Sequence, residues 1–395
     1  LISNLFKKAG KDLYIVGGAC RDFLMGKIPH DYDLVTNALP EESKEILKDW
    51  NVSDVQGKKH GILRIYTDNE PLGYELAVYR KDISKNRSTK GNDQKVEIGR
   101  HIGMREDSQR RDFSINSLYY DIYNKKMIDL VGGINDIKNN NIRAVGVPQK
   151  RFEEDRLRLI RCVRFAAVTG GKIDRITSEA ILSDNRLFGI SEEDDVSRER
   201  IFGEFLKVKE KSRENKDAGI ITRFIDLLID YDILKQILPV LVIHKTITPT
   251  EYLTVALAQT LRNNHPTEDF KKVLIDAKIP NTYVDIIAFL LKIYHVGVNE
   301  DTVYDYYREI SSKSIRTDIL QEWIRVMGIV DDMVITFLKY HPATSGGDVM
   351  KDGFVGPEIG TEIKRREGIR FLNMVKGVNE KINILKINDF LNENI

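Results

Sequence analysis

Up to about residue 145 the chain carries short β-rich runs separated by turn residues: Leu13-Tyr-Ile-Val16, Tyr32 to Thr36, Gly61 to Tyr66, Tyr74 to Tyr79 and Ser117 to Tyr123. These predict strands. Beyond that point apolar residues recur at three- and four-residue spacing with few prolines: Phe152, Leu157, Ile160 and Val163, then Ile201 and Phe205, then Phe224, Leu227, Leu228, Ile233 and Ile237. That spacing predicts helices, so an α/β half is followed by a mostly helical one. Between Lys81 and Gln109 lies a stretch rich in Lys, Asp, Asn, Ser and Gly. With little apolar surface to offset its ordering entropy, it reads as a mobile loop, either functional or simply solvated.

The 395 residues are enough for two or three domains, and 61 Lys+Arg stand against 60 Asp+Glu. Bulk charge therefore attracts no nucleic acid, and any such site must be a local patch. Two cysteines, Cys20 and Cys162, lie far apart with no CxxC spacing, which argues against a disulfide scaffold, structural zinc or thiol redox chemistry. The N-terminus lacks a signal-peptide stretch, and the apolar run Val284 to Val296 is interrupted by Asp285 and Lys292 and too short to span a bilayer. The expectation is a soluble, cytoplasmic protein with no membrane partner.

Four segments carry candidate chemistry. Tyr14-Ile-Val-Gly17-Gly18-Ala-Cys-Arg21-Asp22 runs from a strand through a Gly-Gly turn into a helix start. Backbone N–H groups at such a turn approach a phosphate closely, with Arg21 as a bidentate donor, although the same turn can be purely structural. In His30-Asp31-Tyr32-Asp33-Leu34 a strand would point Asp31 and Asp33 to one side, a pair of hard oxygen donors suited to Mg²⁺ on a nucleoside triphosphate, or else an Asp-rich turn. His30-Asp31 also suggests a metal hydrolase. No matching second set stands among His244, His265, His295 and His341, which removes that reading.

Arg110-Arg111-Asp112-Phe113-Ser114-Ile115-Asn116 places two arginines where the polar stretch rejoins the fold, able to grip a phosphate or merely solvated. In Arg151-Phe-Glu-Glu-Asp155-Arg-Leu-Arg158-Leu-Ile-Arg161-Cys-Val-Arg164, one helix would bring Asp155 beside Arg158, with Arg161 and Arg164 continuing the ridge. An exposed pair of this kind is ordinarily a weak ion pair. It has one specific alternative. Cytosine and adenine each present an amino donor beside a ring-nitrogen acceptor, so one carboxylate and one guanidinium accept C and A and reject U and G.

In this order GGACRD, DYD, RRDFSIN and EEDRLRLIRCVRF, with Asp129-Leu-Val-Gly-Gly-Ile-Asn-Asp-Ile and Asn141-Ile-Arg143 before the last, resemble the class II tRNA nucleotidyltransferase and bacterial poly(A) polymerase family. The resemblance covers residues 12 to 170 closely and thins beyond. It implies an α+β multidomain protein: a polymerase-β-like nucleotidyltransferase head with a mixed sheet (1–145, its mobile loop about 81–109), an all-α neck for base recognition (146–215), and a body and tail for tRNA (216–395).

Carried over residue by residue, the resemblance makes Asp31 and Asp33 the catalytic, Mg²⁺-binding carboxylates. Gly18, Arg21 and Arg111 become nucleotide contacts, Asp155 and Arg158 the base-reading pair, and Arg161 and Arg164 further nucleotide contacts. Cys20, His60-Gly61-Ile62, Ser117 and Leu130 depart from the family's usual residues without touching those groups.

The activity it implies is addition of CCA to the 3′ end of tRNA from CTP and ATP, with Mg²⁺ as cofactor and pyrophosphate released. Poly(A) polymerase or partial CC- or A-addition is the near alternative, and a catalytically inactive tRNA-binding protein the distant one. The helical half would then hold the acceptor and elbow of tRNA through phosphate contacts, with Lys207 to Arg213 and Lys364-Arg365-Arg366 as candidate clusters.

Overall fold

The computed structural model describes residues 1–29, 31–55, 61–68, 70–82, 96–189, 195–246 and 248–393. The chain forms two compact units, residues 1–204 with 230–236, and residues 205–229 with 237–395.

The first unit opens with α1 (Ile2–Lys8), β1 (Tyr14–Val16), α2 (Gly18–Leu24), β2 (Asp33–Thr36), α3 (Pro40–Ile46), β3 (Asn51–Asp54), β4 (Leu63–Thr67) and β5 (Glu70–Val78). It continues with β6 (Arg80–Asp82), β7 (Val96–Ile98), α4 (Met104–Gln109), a 3-10 turn (Ser114–Asn116), β8 (Leu118–Asp121), β9 (Lys126–Asp129) and α5 (Gly133–Lys138). Then come β10 (Asn141–Ile142), α6 (Pro148–Glu154), α7 (Leu157–Thr169), β11 (Lys172–Ile173), α8 (Arg175–Ser183) and the start of α9 (Arg198–Asn215).

Seven strands make one mixed sheet in the order β3-β4-β5-β2-β1-β8-β9, with β2 and β5 parallel and all other neighbours antiparallel. Because successive side chains alternate, Ile15, Leu34 and Leu76 join Phe6, Leu47, Leu63 and Ile65 in a core on one face. On the other face Val16 and Val35 pack with Tyr79, Ile102 and Tyr119. The five β-rich runs of the sequence appear as β1, β2, β4, β5 and β8.

Three expectations need correction. Asp31 lies outside β2, which begins at Asp33, so the two carboxylates are not successive same-side positions of one strand. The expected loop 81–109 is ordered at both ends. β6 pairs with β7 through Arg80–Ile98, Lys81–Glu97 and Asp82–Val96, and α4 fills 104–109, while 83–95 lie outside the described residues, as do His30 and His60. Finally, the helix expected across Asp155 is broken. α6 ends at Glu154, Asp155 is extended at φ −153° and ψ 104°, and α7 starts at Leu157.

The second unit contains the rest of α9 and α10 (Gly219–Asp230), and α11 (Leu234–Ile237) follows in the residues that return to the first unit. Asp232 at φ +54° separates those two helices. Next come α12 (Leu253–Thr260), α13 (Glu268–Asp276), α14 (Asn281–Val296), α15 (Val303–Ser312), α16 (Thr317–Met327), α17 (Asp332–Phe337), α18 (Gly346–Lys351) and α19 (Pro357–Glu393). Thr267, Asp331 and Ser345 cap the helices that follow them by accepting from backbone N–H groups. Among the described residues no helix is long and apolar enough to cross a membrane.

Candidate functional site

The end of β1 sets the geometry. Gly17 sits at φ +77°, a conformation that side-chain-bearing residues rarely adopt. A methyl group there would lie 3.6 Å from Nη1 of Arg111 and 4.0 Å from Oδ2 of Asp33, so the missing side chain leaves open the space between a guanidinium and a carboxylate. The same Asp33 and Arg111 also line a pocket of about 180 Å³, together with Glu75, Arg80, Asp107 and Arg110, among others. Asp31 and Asp33 are both exposed beside it in the chain.

Arg111 is fixed from below by a residue in the stretch expected to be a loop. Asp107, wholly buried on α4, accepts from Nε and Nη2 of Arg111 at 3.2 and 3.0 Å, Nε of Arg110 at 2.9 Å, and the Tyr119 hydroxyl at 2.7 Å. Burial works to raise the Asp107 carboxyl, but Arg111 and Arg110 overcome it and hold it well below the usual carboxylate range. Its signal was present in the sequence as an acid three and four positions before two arginines, the spacing of neighbours on a helix. Glu75 was also missed. It stands one step before the Leu34–Leu76 pair of parallel β2 and β5, hence beside Asp33, and it receives Arg64 at 2.7 Å.

Arg21 on α2 donates Nη1 to Oδ1 of Asn116 at 2.7 Å and pairs with Asp22 at 2.7 Å. The turn that supplies Asn116 is braced in turn. Ser114 Oγ donates to buried Asp136 at 2.6 Å, and Arg143 Nε donates to the same carboxylate at 2.9 Å. Gly133 permits this closeness, since a side-chain carbon there would lie 2.1 Å from the Ser114 carbonyl oxygen.

The arginines of α7 divide among separate carboxylates. Arg158 donates to Glu154 at 2.7 Å and to the carbonyls of Arg151 and Arg110 at 3.0 and 3.2 Å, while Asp155 receives Arg200 at 3.0 Å. Asp155 and Arg158 are therefore close in the chain but are each engaged by a different residue. Arg161 donates Nε to Asp112 at 2.8 Å. Burial works to raise the Asp112 carboxyl, yet Arg161 more than offsets this and holds it down at about 2. Arg164 Nε lies 2.7 Å from Glu204 Oε2, close enough for an ion pair although out of line for a hydrogen bond. Burial pushes Arg164 down to about 10 against the pull of Glu204, which leaves it charged at neutral pH.

Gly18, Arg21, Asp33 and Arg111 thus converge on the end of β1, whereas Arg158, Arg161 and Arg164 line α7 and Asp155 precedes it. For a metal, the donors are two exposed carboxylates. Among the described residues no three His, Cys, Asp or Glu side chains form a ready metal cluster. Mg²⁺ is usually held by one or two carboxylates with waters and substrate phosphates, and Asp31, Asp33 and the open space at Gly17 fit that donor set.

In the second unit the expected basic clusters are mostly ion-paired: Lys364 with Asp305, Arg365 with Glu362, Arg366 with Asp352, and Lys211 with Glu214. Lys209 instead donates to the Tyr283 hydroxyl.

Residues 13–143 match the poly(A) polymerase head domain. The CCA-adding enzyme of Lactobacillus helveticus is 31% identical over 317 residues, which cover 77% of this chain and 73% of that one. Poly(A) polymerase I of Escherichia coli O157:H7 is 32% identical over 262 residues, 65% of this chain and 53% of that one, so the chain spans about half the length of the poly(A) polymerases it matches. Among solved structures, the Bacillus stearothermophilus CCA-adding enzyme in complex with CTP superposes with a TM-score of 0.65 at 23% identity, over 100% of this chain and 98% of that one. The Thermotoga maritima CCA-adding enzyme complexed with tRNA_CCA gives 0.63 at 16% identity, over 96% and 94%. These likenesses extend the shared fold beyond the head into the helical remainder. With its head domain and the length of its match to the Lactobacillus helveticus protein, the chain belongs to the family of CCA-adding enzymes and bacterial poly(A) polymerases.

Proposed function

We propose that the chain is a template-independent RNA nucleotidyltransferase that adds CCA to the 3′ end of tRNA from CTP and ATP and releases pyrophosphate. The observation that carries this reading is the open seat at Gly17 between the Asp33 carboxylate and the Arg111 guanidinium. A metal-neutralised triphosphate needs negative charge on one side and positive charge on the other. The match to 73% of a CCA-adding relative favours CCA addition over poly(A) synthesis.

In this reading residues 1–145 carry catalysis, 146–215 nucleotide recognition and 216–395 the grip on tRNA. Mg²⁺ held by Asp31 and Asp33 would supply Lewis acidity to the RNA 3′-hydroxyl and the α-phosphate in a two-metal scheme. Arg21 and Arg111 offset charge on the departing pyrophosphate, with Gly18 letting the backbone approach. Asp155 and Arg158 read the amino donor and ring nitrogen shared by C and A, and this requires them to turn from Arg200 and Glu154 toward the base. Arg161 and Arg164 steady the nucleotide beside them. The cytoplasm, where tRNA and reduced thiols reside, is the compartment that suits buried free Cys20 and Cys162.

The test is a Mg²⁺-dependent incubation with tRNA transcripts ending before the first C, after it and after the second, given CTP and ATP singly and together and resolved at single-nucleotide length. Addition of C, C and A followed by a stop is expected. Long A tails would assign the chain to poly(A) synthesis, CC or A alone to partial addition, and tRNA binding without incorporation to an inactive relative. Asp31→Ala should abolish incorporation with the fold intact, and Arg158→Met should broaden or destroy C/A selectivity; full activity of the first, or an unchanged nucleotide profile of the second, would remove that residue's assignment.

A further inference from the structure

Phe165 ends the arginine ridge of α7, and three guanidiniums surround its ring. The Cζ atoms of Arg164, Arg21 and Arg161 lie 4.3, 5.4 and 5.5 Å from the ring centroid. The ring is 6% exposed and is clamped edge-on by Phe113, centroids 5.6 Å apart at 69°. Each guanidinium is also held by its own acid: Arg21 by Asp22, Arg161 by Asp112 and Arg164 by Glu204.

Those acids offset the charge of each guanidinium and fix one edge of it, but they act from separate places rather than from one surface that positions all three. An aromatic ring supplies such a surface at no cost in charge, because its face attracts a cation while its bulk holds the cations apart. Arg21 comes from α2 beside the open seat at Gly17, whereas Arg161 and Arg164 come from α7, so one ring touches both sets. We infer that Phe165 is a positioning residue that pre-aligns Arg21, Arg161 and Arg164 for the incoming nucleoside triphosphate, joining the phosphate side of the site to the base side. This inference rests on the nucleotidyltransferase reading above.

It is tested on the full chain by direct binding of Mg²⁺-CTP and Mg²⁺-ATP, measured calorimetrically, alongside steady-state kinetics with tRNA. Replacing the ring in Phe165→Leu keeps apolar volume and removes the π face. Nucleotide Kd and KM are expected to rise on the order of 10-fold, as loss of more than one such contact implies, with KM for tRNA unchanged and kcat changed far less. Phe165→Tyr, which keeps the face, should restore both values.

Because the leucine variant can fail to fold, a second series replaces Phe165 with mono-, di- and trifluorophenylalanine, nearly isosteric rings of falling quadrupole. Log Kd should climb with each fluorine while the melting temperature stays level, a response that a packing role would not produce. Nucleotide affinity indifferent to fluorination overturns the inference, as does a leucine variant that folds and binds as the parent does. If the parent itself binds neither CTP nor ATP, it is the functional reading that fails.

Discussion

The two compact units are built on opposite terms. In the first, Arg21, Asp107, Asp112, Asp136, Arg158, Arg164 and Glu204 are all nearly buried, each facing an opposite charge. In the second, the interior is Ile225, Leu228, Leu257, Phe289, Leu290 and Trp323, and among its described residues Glu362 and Glu367 are the buried charges. Burying an ion costs several kcal/mol before any partner is met, and a partner seldom returns more than that cost, so the first unit is not the cheaper way to hold a shape. It is the way to keep guanidiniums charged, dry and aimed. A unit that needs only its shape can rely on apolar area, which is non-directional.

Trp50 lies in the first unit and Trp323 in the second, and the chain has no other tryptophan, so single-tryptophan variants report each unit separately. The hardest blow to the first is Asp107→Asn. It leaves Arg110 and Arg111 against a neutral amide and should cost roughly 3–5 kcal/mol by urea unfolding, with incorporation lost. Leu257→Ala in the second should cost about 2–5 kcal/mol through lost burial and a cavity, with no dependence on pH above 5. Equal pH dependence of the two losses would erase the contrast.

Acid sharpens it further. Asp107 and Asp112 have folded pKa values below their unfolded ones, so their stabilisation is fully present above about pH 4 and is lost as pH falls, for Asp112 toward about 2. Burial works to raise Glu367 as well, but the Thr344 side chain, the Tyr340 hydroxyl and the backbone N–H groups of Thr344 and Ala343 hold it at about 2. Arg365 and Arg366 hold Glu362 at about 2, so the second unit loses stability over the same span through two buried carboxylates against Asp107, Asp112 and Asp121 in the first. The Trp50 signal should therefore unfold at higher pH than the Trp323 signal, and Glu367→Gln should make the second transition less acid-sensitive. Simultaneous acid transitions in all variants would contradict this.

Smaller still is Gly17→Ala. Its positive φ predicts a penalty of about 1–2 kcal/mol, and the added methyl intrudes between Arg111 and Asp33, so nucleotide KM should rise more than stability falls. Smallest is Thr267→Ala, which removes the α13 cap, costs about 1 kcal/mol and leaves incorporation untouched.

Much of this was readable along the chain. β1, β2, β4, β5 and β8 follow from β-rich runs between turns, and α7, α9 and α10 from apolar spacing, because local periodicity alone determines which face a residue can bury. Gly18, Arg21, Asp33 and Arg111 stand out as candidates along the chain because their motifs occur together in order.

Other features were settled elsewhere. α4 and the β6–β7 pair lie in a stretch with almost no apolar anchors, and what orders its ends is Asp107 accepting from Arg110, Arg111 and Tyr119 in a dry interior. Asp155 leaves the helix although its spacing to Arg158 is helical, since its carboxylate caps the Leu157 N–H and pairs with Arg200, 45 residues on. The meeting of Arg21 with Arg161 and Arg164 on Phe165 likewise joins α2 to α7. Sequence by itself determined which residues were available and the period in which they point. Only tertiary structure decided which acid each arginine would meet, because the energy of a buried charge is set by partners brought from distant parts of the chain.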